Sequence, residues 1–140
     1  VHIYYGNADN NSPEMAQRRA EIERIARFLA ERQADEAKAA IARAREAGWV
    51  KPDDAGRDAN FILLGDFNIV SPDHQTMDAL LQAGFTVPTA LHRTNLGSSH
   101  HYDQIAVKAA HPDLKVLSSG VFDMLAHVYR DEDADHYVDH

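Results

Sequence analysis

The sequence predicts a layered α/β domain, and three observations support this fold class. An uninterrupted apolar run at residues 61–64 is typical of a strand buried on both faces. Apolar residues three and four positions apart predict an amphipathic helix that begins near Pro13. Short runs around His2 and over residues 102–107 predict two further strands. We expect all three strands in one sheet, with the helix packed on its face through Ile22, Ile25 and Leu29.

Length and composition limit the chain to one domain. A chain of 140 residues, 44% of them hydrophobic, can bury one core. The absence of cysteine excludes disulfides and thiolate metal sites. No signal peptide and no bilayer-spanning apolar run occurs, so we expect a soluble protein, with the cytoplasm favoured. Because residues 1–5 already have strand character and no initiating Met precedes them, we expect residues 1–140 to be a fragment of a longer protein.

The negative charge is concentrated in the second part of the chain. Of the net charge of -8, residues 1–50 contribute nothing, because their 8 basic and 8 acidic side chains balance. An acidic surface repels a polyanion unless a metal ion or a basic patch intervenes, which disfavours broad nucleic-acid binding. A small phosphate-bearing substrate held with a divalent cation remains compatible with this charge.

The predicted elements follow in order along the chain. Ser12 is a suitable N-cap for the first helix, with Pro13 at its first position. An alanine-rich continuation is predicted as far as Gly48, either as an extension of this helix or as a second helix. Breaker residues predict a surface loop over residues 49–60, and Ser71 begins a pattern typical of a short helix. A partner strand is predicted at residues 114–117, before an acidic tail.

Polar side chains lie at the ends of the three predicted strands. Asp66 and Asn68 follow the central apolar run, His2 lies on the first strand and Asp103 on the last. A carboxylate activates water or binds a hard cation, an amide orients an oxyanion and a histidine donates to a phosphate oxygen. This pattern indicates hydrolysis of a phosphate ester. The alternative is an ordinary strand-to-loop turn in which Asp66 and Asn68 bond nearby backbone groups.

Two motifs resemble those of the endonuclease/exonuclease/phosphatase superfamily. The segment Gly65-Asp66-Phe67-Asn68 matches its Gly-Asp-x-Asn motif, and Tyr102-Asp103-Gln104-Ile105 is similar to its Tyr-Asp-x-Ile motif. The strand at residues 1–3 also resembles its histidine-bearing strand. The resemblance implies a DNase-I-like layered β-sandwich with outer helices. Residues 1–140 would be the C-terminal portion of this domain, a partial domain with a helical or loop insertion at about residues 33–60.

The resemblance also implies roles for four residues. Asp66 positions or deprotonates the attacking water, Asn68 holds the scissile phosphate, His2 hydrogen-bonds a phosphate oxygen and Asp103 orients a catalytic histidine. The implied cofactor is Mg²⁺ or Mn²⁺, for which Asp66 and Asn68 are weak ligands. The family's main Glu ligand and its Ser-Asp-His motif do not occur in this sequence. The pair Asp139-His140 matches the latter motif only superficially.

Other polar clusters have plainer explanations. Zinc is suggested by two histidine pairs: His136 and His140, four residues apart, and the adjacent residues His100 and His101. No third ligand follows at a diagnostic spacing, so exposed histidines are favoured over a zinc site. Arginines alternate with glutamates on the first helix, which favours a solvated face over a phosphate-binding one; these arginines are Arg18, Arg19, Arg24 and Arg27.

The sequence therefore predicts a divalent-metal-dependent hydrolase of phosphate esters, of which this chain carries part of the active site. The substrate is either nucleic acid or a small phosphoester. The alternative is a catalytically inert fragment or binding module that retains the scaffold. If half of a sandwich is present, an apolar sheet face is exposed, through which self-association is possible.

Overall fold

A computed structural model describes residues 1–7, 9–56, 59–94, 100–109 and 114–122. In these ranges the chain forms a long helix α1 (Pro13–Glu46), a 3₁₀ turn (Pro52–Gly56), strand β1 (Phe61–Ile69), a short helix α2 (Gln75–Leu81) and strand β2 (His101–Lys108). The strands pair antiparallel in a two-stranded sheet. Neither helix combines the length and apolar character that a bilayer-spanning segment requires.

Helix α1 begins where the sequence predicts. The Ser12 hydroxyl accepts a hydrogen bond of 3.1 Å from the amide of Met15, and Pro13 occupies the first position. The helix continues without a break to Glu46, which decides between an extension and a second helix. Gly48, with a φ of 72°, follows the C-cap Ala47 in the left-handed conformation that glycine favours.

The core lies between α1, α2 and the inner face of the sheet. Ile22 is fully buried, and Ile25 and Leu29 pack against the core at its edge, as predicted. The other buried apolar residues of this cluster include Ala26, Leu63, Phe67, Met77, Leu80 and Ala106. Further along α1, the Gln33 amide donates to the carbonyl oxygen of Lys108, which ties the helix to the end of β2. The predicted insertion at 33–60 thus begins inside α1.

The predicted DNase-I-like layered sandwich is wrong: the described residues contain one two-stranded sheet and no second layer of strands. Residues 1–3 add only an isolated parallel bridge between His2 and Asp66. At the opposite side, Thr86 pairs with Val107 through two backbone hydrogen bonds of 2.8 Å. Both contacts are isolated bridges, so the expectation of a third strand around His2 in this sheet is wrong.

Threonine side chains cover the outer edge of β2. The hydroxyl of Thr89 accepts from the amide of Ile105, and that of Thr94 accepts from the amide of Asp103. The backbone donors that another strand would need are thereby satisfied. Residues 114–117, predicted as a partner strand, are consequently not a strand. This segment leads to Ser119, whose hydroxyl donates to the carbonyl oxygen of Pro88.

The outer face of the sheet is apolar and exposed. Alternation along the strands places Leu63 and Ala106 towards α1 and three larger side chains on the opposite face. These side chains keep between 44% and 60% of their surface accessible; they are Ile62, Leu64 and Ile105. The exposed apolar face, defined by these three residues, adjoins the end of the sheet that carries Asp66.

Candidate functional site

The end of β1 that carries Asp66 does not continue as a regular strand. Asp66 pairs with Asp103 and Ile69 with His101, so the register shifts between them. Asn68 has a φ of 50°, in the left-handed region, and Phe67, Asn68 and Ile69 are all buried. Such a bulge re-aims side chains at the end of a sheet. Asp66 and Asn68 therefore do not share a face by strand alternation, as a regular strand would have required.

Asp66 is held by its own backbone neighbours. Its Oδ1 atom accepts a hydrogen bond of 2.8 Å from the amide of Asn68. Its amide donates to the carbonyl oxygen of Val1, and its carbonyl oxygen accepts from the amide of Ile3. The side chain keeps 30% of its surface exposed. One carboxylate oxygen is thus fixed, while the other faces a partly open position.

His2 lies beside that second oxygen. The distance from His2 Nε2 to Asp66 Oδ2 is 3.7 Å, which is longer than a hydrogen bond but within ion-pair range. The imidazole is 80% exposed. The amino group of Val1 donates to the carbonyl oxygen of Leu64, and the backbone of Val1 passes so close to Gly65 that a Cβ there would collide with it. Gly65 therefore admits the segment that carries His2.

Asp103 faces Asp66 across the two strands. Directly opposite residues of an antiparallel pair project to the same side with Cβ atoms roughly 4.5–5.5 Å apart. Asp103 is exposed, and its amide donates a hydrogen bond of 2.8 Å to Thr94 Oγ1. The structure thus brings His2, Asp66 and Asp103 to one end of the sheet.

Asn68 serves as a buried clamp at this end. Its side chain is almost inaccessible, and its Nδ2 donates a hydrogen bond of 2.7 Å to the carbonyl oxygen of Ile3. Its backbone amide donates to Asp66. Together these bonds fasten residues 1–3 to the bulge. The amide that the resemblance assigns to the scissile phosphate is here engaged with the protein backbone.

Arg18 is a residue of this site that the sequence pattern did not reveal. The prediction that Arg18 lies on a solvated helix face is wrong, because only 1% of it is accessible. Its guanidinium donates to the carbonyl oxygens of Asn68, at 3.2 Å, and of Asn7, at 3.0 Å, and also to that of Tyr5. Arg18 lies three residues after Met15 and four before Ile22, so its position in the sequence already places it within the apolar stripe and indicates burial.

Aromatic rings surround the guanidinium. Arg18 lies over the ring of Tyr5, 4.5 Å from its centroid, and the Tyr5 and Tyr102 rings meet edge to face. Burial lowers the pKa of Arg18, an effect opposed by Tyr5, Tyr102 and Asp66. Burial also raises the pKa of Tyr102, and its hydrogen bond with Tyr5 adds to this effect. The negative charge of Asp66 thus favours the protonated guanidinium.

The donors at this end do not complete a metal site. Nowhere in the described ranges do three or more His, Asp or Glu side chains converge as a metal ion requires. Asp66 has one oxygen engaged with the backbone amide of Asn68, and the buried Asn68 side chain has its Nδ2 bonded to Ile3. Asp139, His140 and His136 lie outside the described residues, as does the acidic tail.

The histidine pair at the start of β2 has no metal-binding arrangement. His100 stacks on Tyr102, with ring centroids 4.7 Å apart. His101 is buried, although exposed histidines were predicted, and its ring stands beside Ile69 across the sheet. These contacts give both rings a packing role.

Comparisons of the chain with protein-family models, curated proteins and solved structures found no match. The resemblance therefore rests on the two motifs at residues 65–68 and 102–105 and on the segment at residues 1–3. The structure places the acidic residues of these motifs opposite each other in adjacent strands.

Proposed function

We propose that the end of the sheet formed by His2, Asp66, Asn68 and Asp103 is part of the active site of a divalent-cation-dependent hydrolase of phosphate esters. The observation that carries this proposal is the position of Asp66. It lies opposite Asp103 and 3.7 Å from His2. Two carboxylates and an exposed imidazole thus lie at one end of the sheet, although they are not as close together as a metal site would require.

The three side chains have complementary chemistry. Oδ2 of Asp66 is available to accept a proton from water, because Oδ1 is held by the Asn68 amide. The exposed His2 ring is available to donate a hydrogen bond to a phosphate oxygen. Asp103 adds a second negative charge on the same side of the sheet. In the family that the motifs resemble, the corresponding aspartate orients a catalytic histidine. No histidine of this chain is assigned to that role.

We propose that the main role of Asn68 is to hold Asp66 in place. The resemblance assigns this residue to the phosphate, but its Nδ2 already bonds the carbonyl oxygen of Ile3 in a buried setting. An amide with one hydrogen engaged and little accessible surface is a poor first contact for a substrate. The contacts favour an indirect role through the bond to Asp66 Oδ1.

A cation belongs in the proposal on electrostatic grounds. A phosphate ester that approaches Asp66 and Asp103 meets two negative charges, and the chain as a whole carries -8. Mg²⁺ or Mn²⁺ would neutralise them and supply charge stabilisation when bound. Because the described donors do not complete the ligand set, no step of the reaction is assigned to the ion.

The second candidate function is binding without catalysis. The observation in its favour is that no three-ligand cluster forms within the part of the chain that the structure describes. A binding module would use the same exposed His2 and Asp66 to hold a ligand. It would show no turnover in any setting and no dependence of ligand binding on a divalent cation.

Phosphorus NMR of bis(p-nitrophenyl) phosphate separates the two candidates. We expect the diester signal to broaden when both protein and Mg²⁺ are present, and not with either alone. Asp66→Asn should abolish this effect, whereas Asp35→Asn should not, because Asp35 is an exposed residue of α1 paired with Lys38. Broadening that is independent of Mg²⁺ or survives Asp66→Asn would contradict the proposal.

Turnover provides an additional check. With Mg²⁺ or Mn²⁺, we expect residues 1–140 to hydrolyse this diester no faster than a blank, because Asp66 and Asn68 offer too few ligands for the ion. Metal-dependent turnover that is lost in Asp66→Asn would show that this chain supplies the remaining groups. Asp139 and His140, outside the described residues, would then be the first to substitute.

A further inference from the structure

Arg18 connects three separate parts of the chain at the base of the candidate site. It projects from α1 and donates to the carbonyl oxygen of Asn68 at 3.2 Å. Its other terminal nitrogen donates to the carbonyl oxygens of Tyr5 and Asn7. The helix, the residues that follow His2 and the bulge of β1 therefore meet at one guanidinium.

The connection continues from Asn68 to Asp66. The left-handed conformation of Asn68 allows its amide to donate to Asp66 Oδ1 and its side chain to donate to Ile3. Asparagine tolerates the left-handed region better than other non-glycine residues, and here its amide and side chain are both engaged in hydrogen bonds that hold this conformation. Arg18 bonds the carbonyl oxygen of this same residue. Loss of that bond would free Asn68 to relax.

We propose that Arg18 is a positioning residue of the candidate site, which keeps Asn68 in its left-handed conformation and thereby aims Asp66 at the position beside His2. This inference rests on the proposed function. Arg18 does not touch that position, since its bonds go to backbone carbonyl oxygens at the base of the bulge.

The contacts of Arg18 require an arginine, and another cationic side chain such as lysine would not reproduce them. A planar guanidinium presents several donors in a fixed geometry, whereas a lysine ammonium is a compact charge that cannot bond these three carbonyl oxygens in two segments in the same way. Its flat surface also covers the ring of Tyr5. Burial of an arginine is expensive unless its hydrogen bonds are made. Its buried Nε lacks a partner within the described chain, so the burial is not fully compensated.

The competing explanation is that Arg18 only stabilises the core. The two explanations predict different structural effects of substituting Arg18. A core residue affects global stability, whereas a positioning residue changes the geometry of Asn68 and Asp66 even in a variant that remains folded. Arg19→Ala is a matched control, because it removes the same charge from the adjacent position. Arg19 bonds Gln75 on the surface and makes no bond to the bulge.

The test compares Arg18→Lys, Arg18→Ala and Arg19→Ala in residues 1–140. Backbone amide NMR reports the fold, and the side-chain amide signal of Asn68 reports the clamp. Titration with Mn²⁺ alone reports the cation affinity of the Asp66 end. We expect both Arg18 variants to displace the Asn68 signal and weaken Mn²⁺ binding about 10–100-fold, the range seen when residues supporting a metal ligand are lost. Arg19→Ala should leave both unchanged.

Chemical rescue distinguishes positioning from general stability. Addition of guanidinium ion at low, non-denaturing concentration to Arg18→Ala should restore the Asn68 signal and part of the Mn²⁺ affinity, but should do nothing for Arg18→Lys. A folded Arg18→Lys with an unchanged Asn68 signal and Mn²⁺ affinity would overturn the inference. So would equal effects in Arg19→Ala.

The proposed function can fail separately. If the unsubstituted chain binds no Mn²⁺, the cation-dependent function fails, and the NMR measurements alone decide the role of Arg18. Changes confined to Asn68, Asp66 and Ile3 in Arg18→Lys would then support positioning. An unchanged Asn68 signal, or changes spread evenly over the core, would overturn it.

Discussion

Asp66 and Asp103 lie directly opposite each other on β1 and β2, so that two carboxylates share one side of the sheet. Like charges in such a pair destabilise a sheet. A protein that keeps them together sacrifices stability, which is common where a site must bind a cation or a substrate. This relationship leads to a direct prediction about stability without ligand.

A double-mutant cycle of Asp66→Asn and Asp103→Asn should reveal repulsion between the two carboxylates when no divalent cation is present. We expect an unfavourable coupling of about 0.2–1 kcal/mol in the free energy of unfolding, because the cycle isolates the like-charge pair from the other contacts of each residue. Urea denaturation at neutral pH measures the coupling. Added salt should shrink it by screening. A favourable or zero coupling at low salt would contradict the prediction.

Gly65→Ala should detach residues 1–3 from β1. Gly65 has a φ of 145° and leaves no room for a Cβ beside the backbone of Val1, so crowding should cost roughly 1–3 kcal/mol of unfolding free energy. The specific readout is hydrogen exchange of the Ile3 amide, which donates to Asp66 at 2.8 Å.

Gly48→Ala is the matched control for this substitution. Gly48 also has a positive φ, but no atom lies near the position of its Cβ. Alanine there should cost about 1–2 kcal/mol for its left-handed conformation and leave exchange of the Ile3 amide unchanged relative to global unfolding. Equal protection of Ile3 in both variants would contradict the role assigned to Gly65.

His74 should make stability depend on pH. Its Nδ1 accepts from the amide of Thr76 as the N-cap of α2, and its Nε2 bonds Asn10. Burial, with a further contribution from Arg18, holds the pKa of His74 below the ordinary value of 6.5. The folded state therefore favours the neutral ring. Stability from this residue is present above pH 6.5 and is lost as the pH falls through the lower folded pKa.

His74→Asn tests this dependence. Asparagine also caps helices but does not titrate, so the variant should lose less stability than the unsubstituted chain as the pH falls below 6.5. Urea denaturation across this range provides the measurement. Identical slopes of unfolding free energy against pH would exclude His74 as the source.

The exposed apolar face should bind a hydrophobic dye or a second copy of the chain. Ile62, Leu64 and Ile105 leave a contiguous apolar surface in contact with water. Leu64→Lys should reduce both dye fluorescence and any concentration-dependent increase in mass by light scattering. Val50→Lys, an exposed valine after α1, is the control. A monomeric protein without dye binding would contradict this prediction.

The sequence predicts individual elements better than their assembly. Ser12, Pro13 and Gly48 have local chemistry that determines where α1 begins and ends, and the apolar runs identify β1 and β2. The width of the sheet depends on which distant segment satisfies the edge of β2. Thr86, Thr89 and Thr94 do so through long-range bonds that no periodic pattern indicates.

In the candidate site, too, the sequence predicts individual residues better than their arrangement. The motifs identify Asp66 and Asp103, and the antiparallel register brings them together. The pattern misplaces Arg18, which lies in the core and donates to the carbonyl oxygen of Asn68. An amphipathic pattern assigns residues by polarity, so it misses a charged side chain whose partners are backbone carbonyl oxygens.

Paramagnetic broadening by Mn²⁺ would locate the cation at the Asp66 end of the sheet. Amide NMR of residues 1–140 is recorded as Mn²⁺ is added, first alone and then with bis(p-nitrophenyl) phosphate. Our account predicts that broadening begins at Asp66, Asn68 and Asp103, strengthens with the diester, and disappears from these residues in Asp66→Asn. Broadening that begins elsewhere, or that is unchanged by the diester and by Asp66→Asn, would contradict it.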